Sequence, residues 1–161
     1  MNTVSRALIR FDDLLAKGEA VVLIAILALM TVVVFLQVIY RYVLTQPLHW
    51  SEELARYLFV WLSVLGAAHG LQKRGHFGFD ALFRMLPRRA RAYVRILIYA
   101  LMGVVIFVML VDGITLVEKT LPQESPAMGI CMGWAYASLP LGGALMAVHL
   151  IVILLKDTTK G

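Results

Sequence analysis

The chain has 161 residues, of which 61% are hydrophobic and only 16% charged. A chain this short and this apolar has no polar shell left to cover a soluble core, which excludes an ordinary water-soluble domain and points to a membrane protein. The net charge of +5 reads as basic loops against anionic lipid headgroups rather than as a nucleic-acid footprint, so no nucleic-acid partner is expected.

Residues 1–18, "MNTVSRALIRFDDLLAKG", set Val4, Leu8, Phe11 and Leu15 at helical spacing against Arg6, Arg10, Asp12, Asp13 and Lys17. That pattern predicts an amphipathic helix lying in the interface, with disorder as the alternative. A first span follows over about 20–42, with no ionised side chain between Glu19 and Arg41. It is too long for the apolar core of a signal peptide, and no small-x-small cleavage site follows it, so it is expected to stay in the protein. The second span, about 52–71, opens on "HWSEELARYLFVW". The loop after it, "QKRGHFGFDALFRMLPRRARAYVR", crowds Phe77, Phe79, Leu82, Phe83 and Leu86 between Gly75 and Pro87. A second interfacial helix or an ordinary connection fits that segment equally well; within it His76 and Asp80 are spaced for a local hydrogen bond. The third and fourth spans cover about 93–117 and 131–155 and end at charged residues. The fold class is therefore an all-α integral membrane protein, a single membrane domain over 1–161 with four transmembrane helices.

Positive charge sets the expected orientation. Of the 15 Lys and Arg residues, all but Arg41, Arg56 and Lys119 fall in the two terminal segments or the second loop. Both termini are thus expected in the cytoplasm, with Arg84, Arg88, Arg89 and Arg91 as lipid-headgroup candidates.

Candidate chemistry is sparse. Cys131 stands alone, so no disulfide or Cys-x-x-Cys motif exists, and no nucleotide, hydrolase or metalloprotease motif appears. Spans two and four run in the same direction and place His69 and His149 at similar depths, the one arrangement that would suit a haem with two axial imidazoles. The chain would then be a haem-binding membrane anchor or electron-transfer subunit; otherwise no cofactor or metal is expected. A transport site needs carboxylates, amides or broken helices at the midplane. The spans offer only Thr31, Gln37, Ser63, Asp112 near an outer end, and the Gly133–Pro140 stretch. By elimination the chain reads as the partner of something larger. Gly66 and Gly70, in register with Ser63, and Gly143 with Ala147 form small-residue ridges suited to helix contact.

Two outward segments carry a specific resemblance. The cluster Trp50-x-Glu52-Glu53-Leu54-Ala55-Arg56 and the stretch Ser125-Pro126-Ala127-x-Gly129-Ile130-x-Met132-Gly133-Trp134, each at the right span, resemble the small transmembrane (DctQ-like) subunit of tripartite ATP-independent periplasmic (TRAP) transporters. Cys131 is not part of that pattern. The resemblance covers nearly the whole chain and implies a bacterial inner-membrane complex. In it a large membrane subunit carries the sodium and substrate sites, a periplasmic solute-binding protein delivers an organic acid anion, and the small subunit is a fixed scaffold rather than an enzyme.

The charges at the mouth of span two have a local reading as well. Ser51 is placed as an N-cap, and Glu52 and Glu53 lie in the first turn, where the helix dipole favours negative charge. Arg56 lies one turn on from Glu52, and Arg41 ends span one at the depth of the glutamates, so Arg41, Glu52, Glu53 and Arg56 are expected either to form a charge network or to be a solvated helix start with no special role. Contacts of Trp50, Glu52, Glu53 and Arg56 with the large subunit or its binding protein are the functional addition.

Overall fold

The structure, a computed structural model, describes residues 3–74 and 87–158. Its helices are α1 Thr3–Tyr42, α2 His49–Arg74, α3 Arg88–Thr120, α4 Gly133–Tyr136 and α5 Ser138–Thr158. Four segments, Ala7–Tyr42, His49–Lys73, Tyr93–Thr120 and Gly133–Asp157, are long and apolar enough to cross a membrane, as expected. Among the described residues the single β pairing is an isolated bridge between Glu124 and Cys131. Four crossings bring both termini to one end of the bundle, the terminal end; residues 43–48 and 121–132 form the opposite, distal end.

α1 is one uninterrupted helix of 40 residues. At a rise of 1.5 Å per residue it measures about 60 Å, twice the hydrocarbon thickness of a bilayer. The expected interfacial segment is therefore continuous with span one, and its polarity is inverted. Leu8 and Phe11 are exposed, whereas Asp12, Ala16 and Glu19 are buried at i, i+4 and i+7. The physical reason is a partner: α5 presents His149 to that face. The second-loop helix expected between Gly75 and Pro87, and the His76–Asp80 bond, lie outside the described residues.

The short link after α1 holds α1 and α2 together as antiparallel neighbours. The amides of Val43 and Leu44 bond to the Ile39 carbonyl at 2.8 and 3.2 Å, and that of Gln46 to the Tyr40 carbonyl at 3.0 Å, satisfying acceptors that a helix end leaves free. α2 begins at His49, earlier than a Ser51 cap requires. Ser51 is buried within the first turn and its hydroxyl donates to the Leu48 carbonyl at 2.7 Å, so it caps no amide.

The fourth span is broken near its distal start. Pro140 has no N–H for the carbonyl of Tyr136 and its ring crowds the preceding turn, so α4 ends at Tyr136 and α5 starts afresh at Ser138. The Ser138 hydroxyl, fully buried, donates to the Ala135 carbonyl at 2.9 Å across the break.

In cross-section the long helices pack in the order α1, α2, α5, α3, with α5 touching all the others and the most buried of the four. Without a hydrophobic driving force between helices in lipid, close backbone approach must come from small residues. Gly142 and Gly143 of α5 provide it in two directions: a Cβ on Gly142 would collide with Val64 of α2, and one on Gly143 would crowd Met109 and Leu110 of α3. Gly113 of α3 is pressed on Pro140 in the same way, a Cβ there falling 3.0 Å from the ring. Ala68, Ile106, Met146 and Leu150 fill the space between α2, α3 and α5. Gly66 and Gly70 take no part in close approach. A Cβ on Gly66 would make ordinary contact with Leu23, and one on Gly70 would meet nothing.

Substituting Gly142→Ala should therefore destabilise the isolated chain in detergent by about 1–3 kcal/mol, the usual cost of overpacking, while Gly70→Ala should leave the melting temperature unchanged. Equal melting of the two variants would contradict the α2–α5 contact.

Candidate functional site

Two polar assemblies, one at each end of the bundle, hold the long helices in place. At the terminal end His149 of α5 is fully enclosed, with Asp12 almost equally so, at 0% and 2% exposure. The Asp12 Oδ1 lies 2.6 Å from His149 Nδ1, and the Glu19 Oε1 lies 2.9 Å from its Nε2. Ionised carboxylates only accept, so each contact needs a hydrogen; the imidazole stands between two acids of α1 as a donor at both nitrogens or shares a proton with one of them. Glu19 turns its other oxygen to His69 Nδ1 of α2 at 3.3 Å, and Lys156 Nζ of α5 stands 4.0 Å from Asp12 Oδ2. At the edge of the cluster Gln72 donates to Asp13 at 3.4 Å. α3 joins the same end through Asp157 of α5, which accepts from Tyr99 at 2.8 Å and pairs with Arg95 at 3.2 Å.

His69 and His149 do lie together, as their depths suggested, but Glu19 bridges them. Both nitrogens of His149 are engaged by carboxylates, so the pair is built as a polar lock and does not fit the two axial ligands of a haem. No group of three or more His, Cys, Asp or Glu among the described residues is arranged to hold a metal ion.

At the distal end the organising side chain is Glu53. One carboxylate oxygen accepts the backbone amides of Ala127 and Met128 at 2.8 and 3.1 Å; the other accepts the Tyr57 hydroxyl at 2.6 Å. Charge-assisted bonds of this kind are about twice as strong as neutral ones. They seize a loop that is already closed on itself: Ser125 and Ile130 are joined amide to carbonyl at 2.8 Å, Met132 and Gln123 at 2.9 Å. Gly129 makes the turn at φ +63°, a conformation that costs glycine nothing. Two turns further along, Trp61 donates its indole N–H to the Trp134 carbonyl at 3.1 Å. Glu53 and Trp61 of α2 thus hold opposite ends of the loop and α4.

The two sequence stretches that carry the family resemblance are therefore one site. Ser125 is buried in it, Pro126 is exposed at its surface, and Trp134 presents an indole that is 70% exposed. Trp50 is partly exposed nearby in sequence at the start of α2. The expected four-residue charge network does not form. Glu52 and Arg56 make an exposed pair at 3.7 Å, Arg41 lies over the Tyr42 ring at 5.8 Å, and Glu53 turns inward to the loop. Adjacent residues of a helix diverge by about 100°, so only one of the two glutamates can face the bundle. Gly70 has open space beside it, and Gly66 lies within ordinary contact of Leu23 of α1. Arg84 lies outside the described residues, Arg88 and Arg89 open α3, and Arg91 is half-buried in its first turn.

Asp12, Glu19, Tyr57 and Trp61 were missed as site residues. For the acids the signal was present: two carboxylates seven residues apart on α1, just before an apolar run, can meet histidines at the same depth on neighbouring helices.

Comparison with known proteins agrees with the resemblance. The family profile described as "Tripartite ATP-independent periplasmic transporters, DctQ component" matches residues 30–160. A putative TRAP transporter small permease protein of Haemophilus influenzae is 29% identical over 87% of each chain. The sialic acid TRAP transporter small permease protein SiaQ of Vibrio cholerae is 29% identical over 80% of this chain and 74% of its own length. The sialic acid TRAP transporter permease protein SiaT of Haemophilus influenzae is 34% identical over 71% of this chain, which spans only 19% of that longer protein.

Removing the lock should be costly. His149→Leu leaves two buried carboxylates without their donor, a change expected to cost about 3–5 kcal/mol, and the triple variant that also carries Asp12→Asn and Glu19→Gln should recover much of the loss. Thermal unfolding in detergent reads both. At the distal end, Glu53→Ala should speed hydrogen exchange at Ala127 and Met128 about ten- to a hundredfold, the loss expected for bonds to a charged acceptor. Arg56→Ala, which removes an exposed pair worth about 0–1 kcal/mol, should leave exchange there unchanged.

Proposed function

This chain belongs to the DctQ component family of TRAP transporters, the small permease subunits, and from that premise we propose that it is the fixed scaffold of a sodium-driven uptake system for an organic acid anion. It is a multi-pass membrane protein and a transport component, not an enzyme. In the proposed assembly it sits in the bacterial inner membrane as one membrane domain with both termini in the cytoplasm. A large permease subunit carries the ion and substrate sites, and a periplasmic solute-binding protein supplies the cargo.

The observation that carries the scaffold reading is polar satisfaction. Among the described residues no buried side-chain nitrogen or oxygen lacks a hydrogen-bond partner. A coupling-ion or substrate site requires convergent groups held open for a ligand, whereas here Asp12, Glu19, Glu53 and His149 are spent on joining helices. TRAP small subunits work with large permease subunits, and the match to a short part of the longer SiaT protein accords with both functions in one polypeptide. The clamped Ser125–Trp134 segment and the neighbouring Trp50, Glu52 and Arg56 then offer a rigid distal surface to the large subunit or to the docking binding protein. Gly70, one turn on from Gly66, would offer a smooth one within the membrane, and Arg88, Arg89 and Arg91, with Arg84, would meet lipid headgroups at the cytoplasmic end.

Deleting this chain should abolish uptake by cells that retain the large subunit and the binding protein, and the purified chain alone in liposomes should move no solute. Solute flux through the lone chain would overturn the scaffold role. Fusions at Gly161 should be active with a cytoplasmic reporter enzyme and silent with a periplasmic one; the reverse pattern would overturn the topology.

A further inference from the structure

Asp112 of α3 is an acidic group inside the spans that neither assembly absorbs. It is exposed and has no hydrogen-bond or ion-pair partner among the described residues. It lies eight residues before the end of the Tyr93–Thr120 span. At helical rise the span measures about 42 Å, so centring it on about 30 Å of hydrocarbon puts Asp112 roughly 6 Å inside the distal boundary. A second helix gives the same level. Gly113 packs against Pro140, which lies about 8 Å from the middle of the Gly133–Asp157 span and hence about 7 Å inside the same boundary.

Nothing local relieves this placement. Gly113, Ile106, Met109 and Leu110 fix the face of α3 that meets α5, so α3 cannot rotate Asp112 inward. Helical side chains lean toward the N-terminus, which on α3 is the terminal end, so the Asp112 carboxyl tilts toward the bilayer centre and away from the nearer water. Its stem is also too short to reach out as a lysine would. Its stripe, Leu101, Val105 and Val108, is exposed and apolar, and the hydroxyl of Thr115 on the next turn is already turned back to the Val111 carbonyl at 3.0 Å.

We propose that the Leu101–Thr115 face of α3 is the surface on which a transmembrane helix of the large permease subunit docks, with a hydrogen-bond donor of that helix meeting the Asp112 carboxyl inside the membrane. This rests on the scaffold reading and adds to it the face used and the chemistry of the contact. An acidic group at this depth is costly against lipid, and a donor delivered in the membrane plane by a neighbouring spanning helix relieves that cost.

The test uses the intact membrane complex. A photo-crosslinking amino acid in place of Asp112 should give an adduct with the large subunit, and one in place of Phe35, exposed on α1, should not. In parallel, Asp112→Leu should lower recovery of the large subunit with this chain about three- to twentyfold, the range for one interhelical hydrogen bond in a membrane. Asp112→Asn, which keeps an acceptor, should stay within about twofold. The amount of this chain in the membrane should be equal for all three forms, which separates docking from misfolding. Adducts from position 112 to lipid alone or to a second copy of this chain, or full recovery with Asp112→Leu, would overturn the proposal while leaving the scaffold reading intact. If the unsubstituted chain recovers no large subunit, the scaffold reading fails and this one with it.

Discussion

A histidine enclosed between two carboxylates at the end of a membrane bundle is the constraint on which the arrangement depends. Burying Asp12 and Glu19 is unfavourable for each alone; α5, bringing His149 and Lys156, makes it tolerable, with His69 of α2 as a further partner of Glu19. That requirement sets the rotation of α1, since the helix must turn its acids inward and leave Leu8 and Phe11 outside. It sets the position of α2, whose His69 shares Glu19, and it aligns α5 against both. Uniform hydrophobicity does not specify the rotation of α1, because in lipid one apolar face serves nearly as well as another.

Glu53 imposes the matching constraint at the distal end. Its carboxylate gathers two consecutive amides of the third loop, and Trp61 fixes the same segment at Trp134. The loop is thereby tied to α2, although in sequence it leads from α3 into α4 and α5. Pro140 serves the same design. It interrupts the fourth span just after α4, whose Trp134 carbonyl is the group that Trp61 meets.

The four spans were legible because runs of apolar residues longer than the hydrocarbon thickness leave few alternatives. The antiparallel pairing of α1 and α2 followed from the short link between them. The rotation of each helix was not legible: uniform hydrophobicity carries no facing information. Asp12 was read as a polar residue facing water because the partner that buries it lies 137 residues away in sequence. Ser51 was read as a cap from its residue type, but the helix starts at His49 and the hydroxyl serves a carbonyl instead. Both resemblance motifs stand out by residue type, but only their geometry shows that Glu53 joins them and that Arg41, Glu52 and Arg56 stand apart. The glycines show the same limit. Of the two ridges with contact spacing, Gly143 makes a tight crossing and Gly66 and Gly70 do not, while Gly113 and Gly142, outside both ridges, also cross tightly.

The polar fastenings stand at the two ends, and between them the described helices meet through apolar side chains and glycines. Hydrogen bonds resist sliding because they are directional; apolar surfaces permit small slips with little change in energy. A body pinned at its rims and smooth in its middle cannot shear one helix past another without breaking a rim. In a thinner or thicker bilayer, therefore, the four helices must tilt together as a single plate.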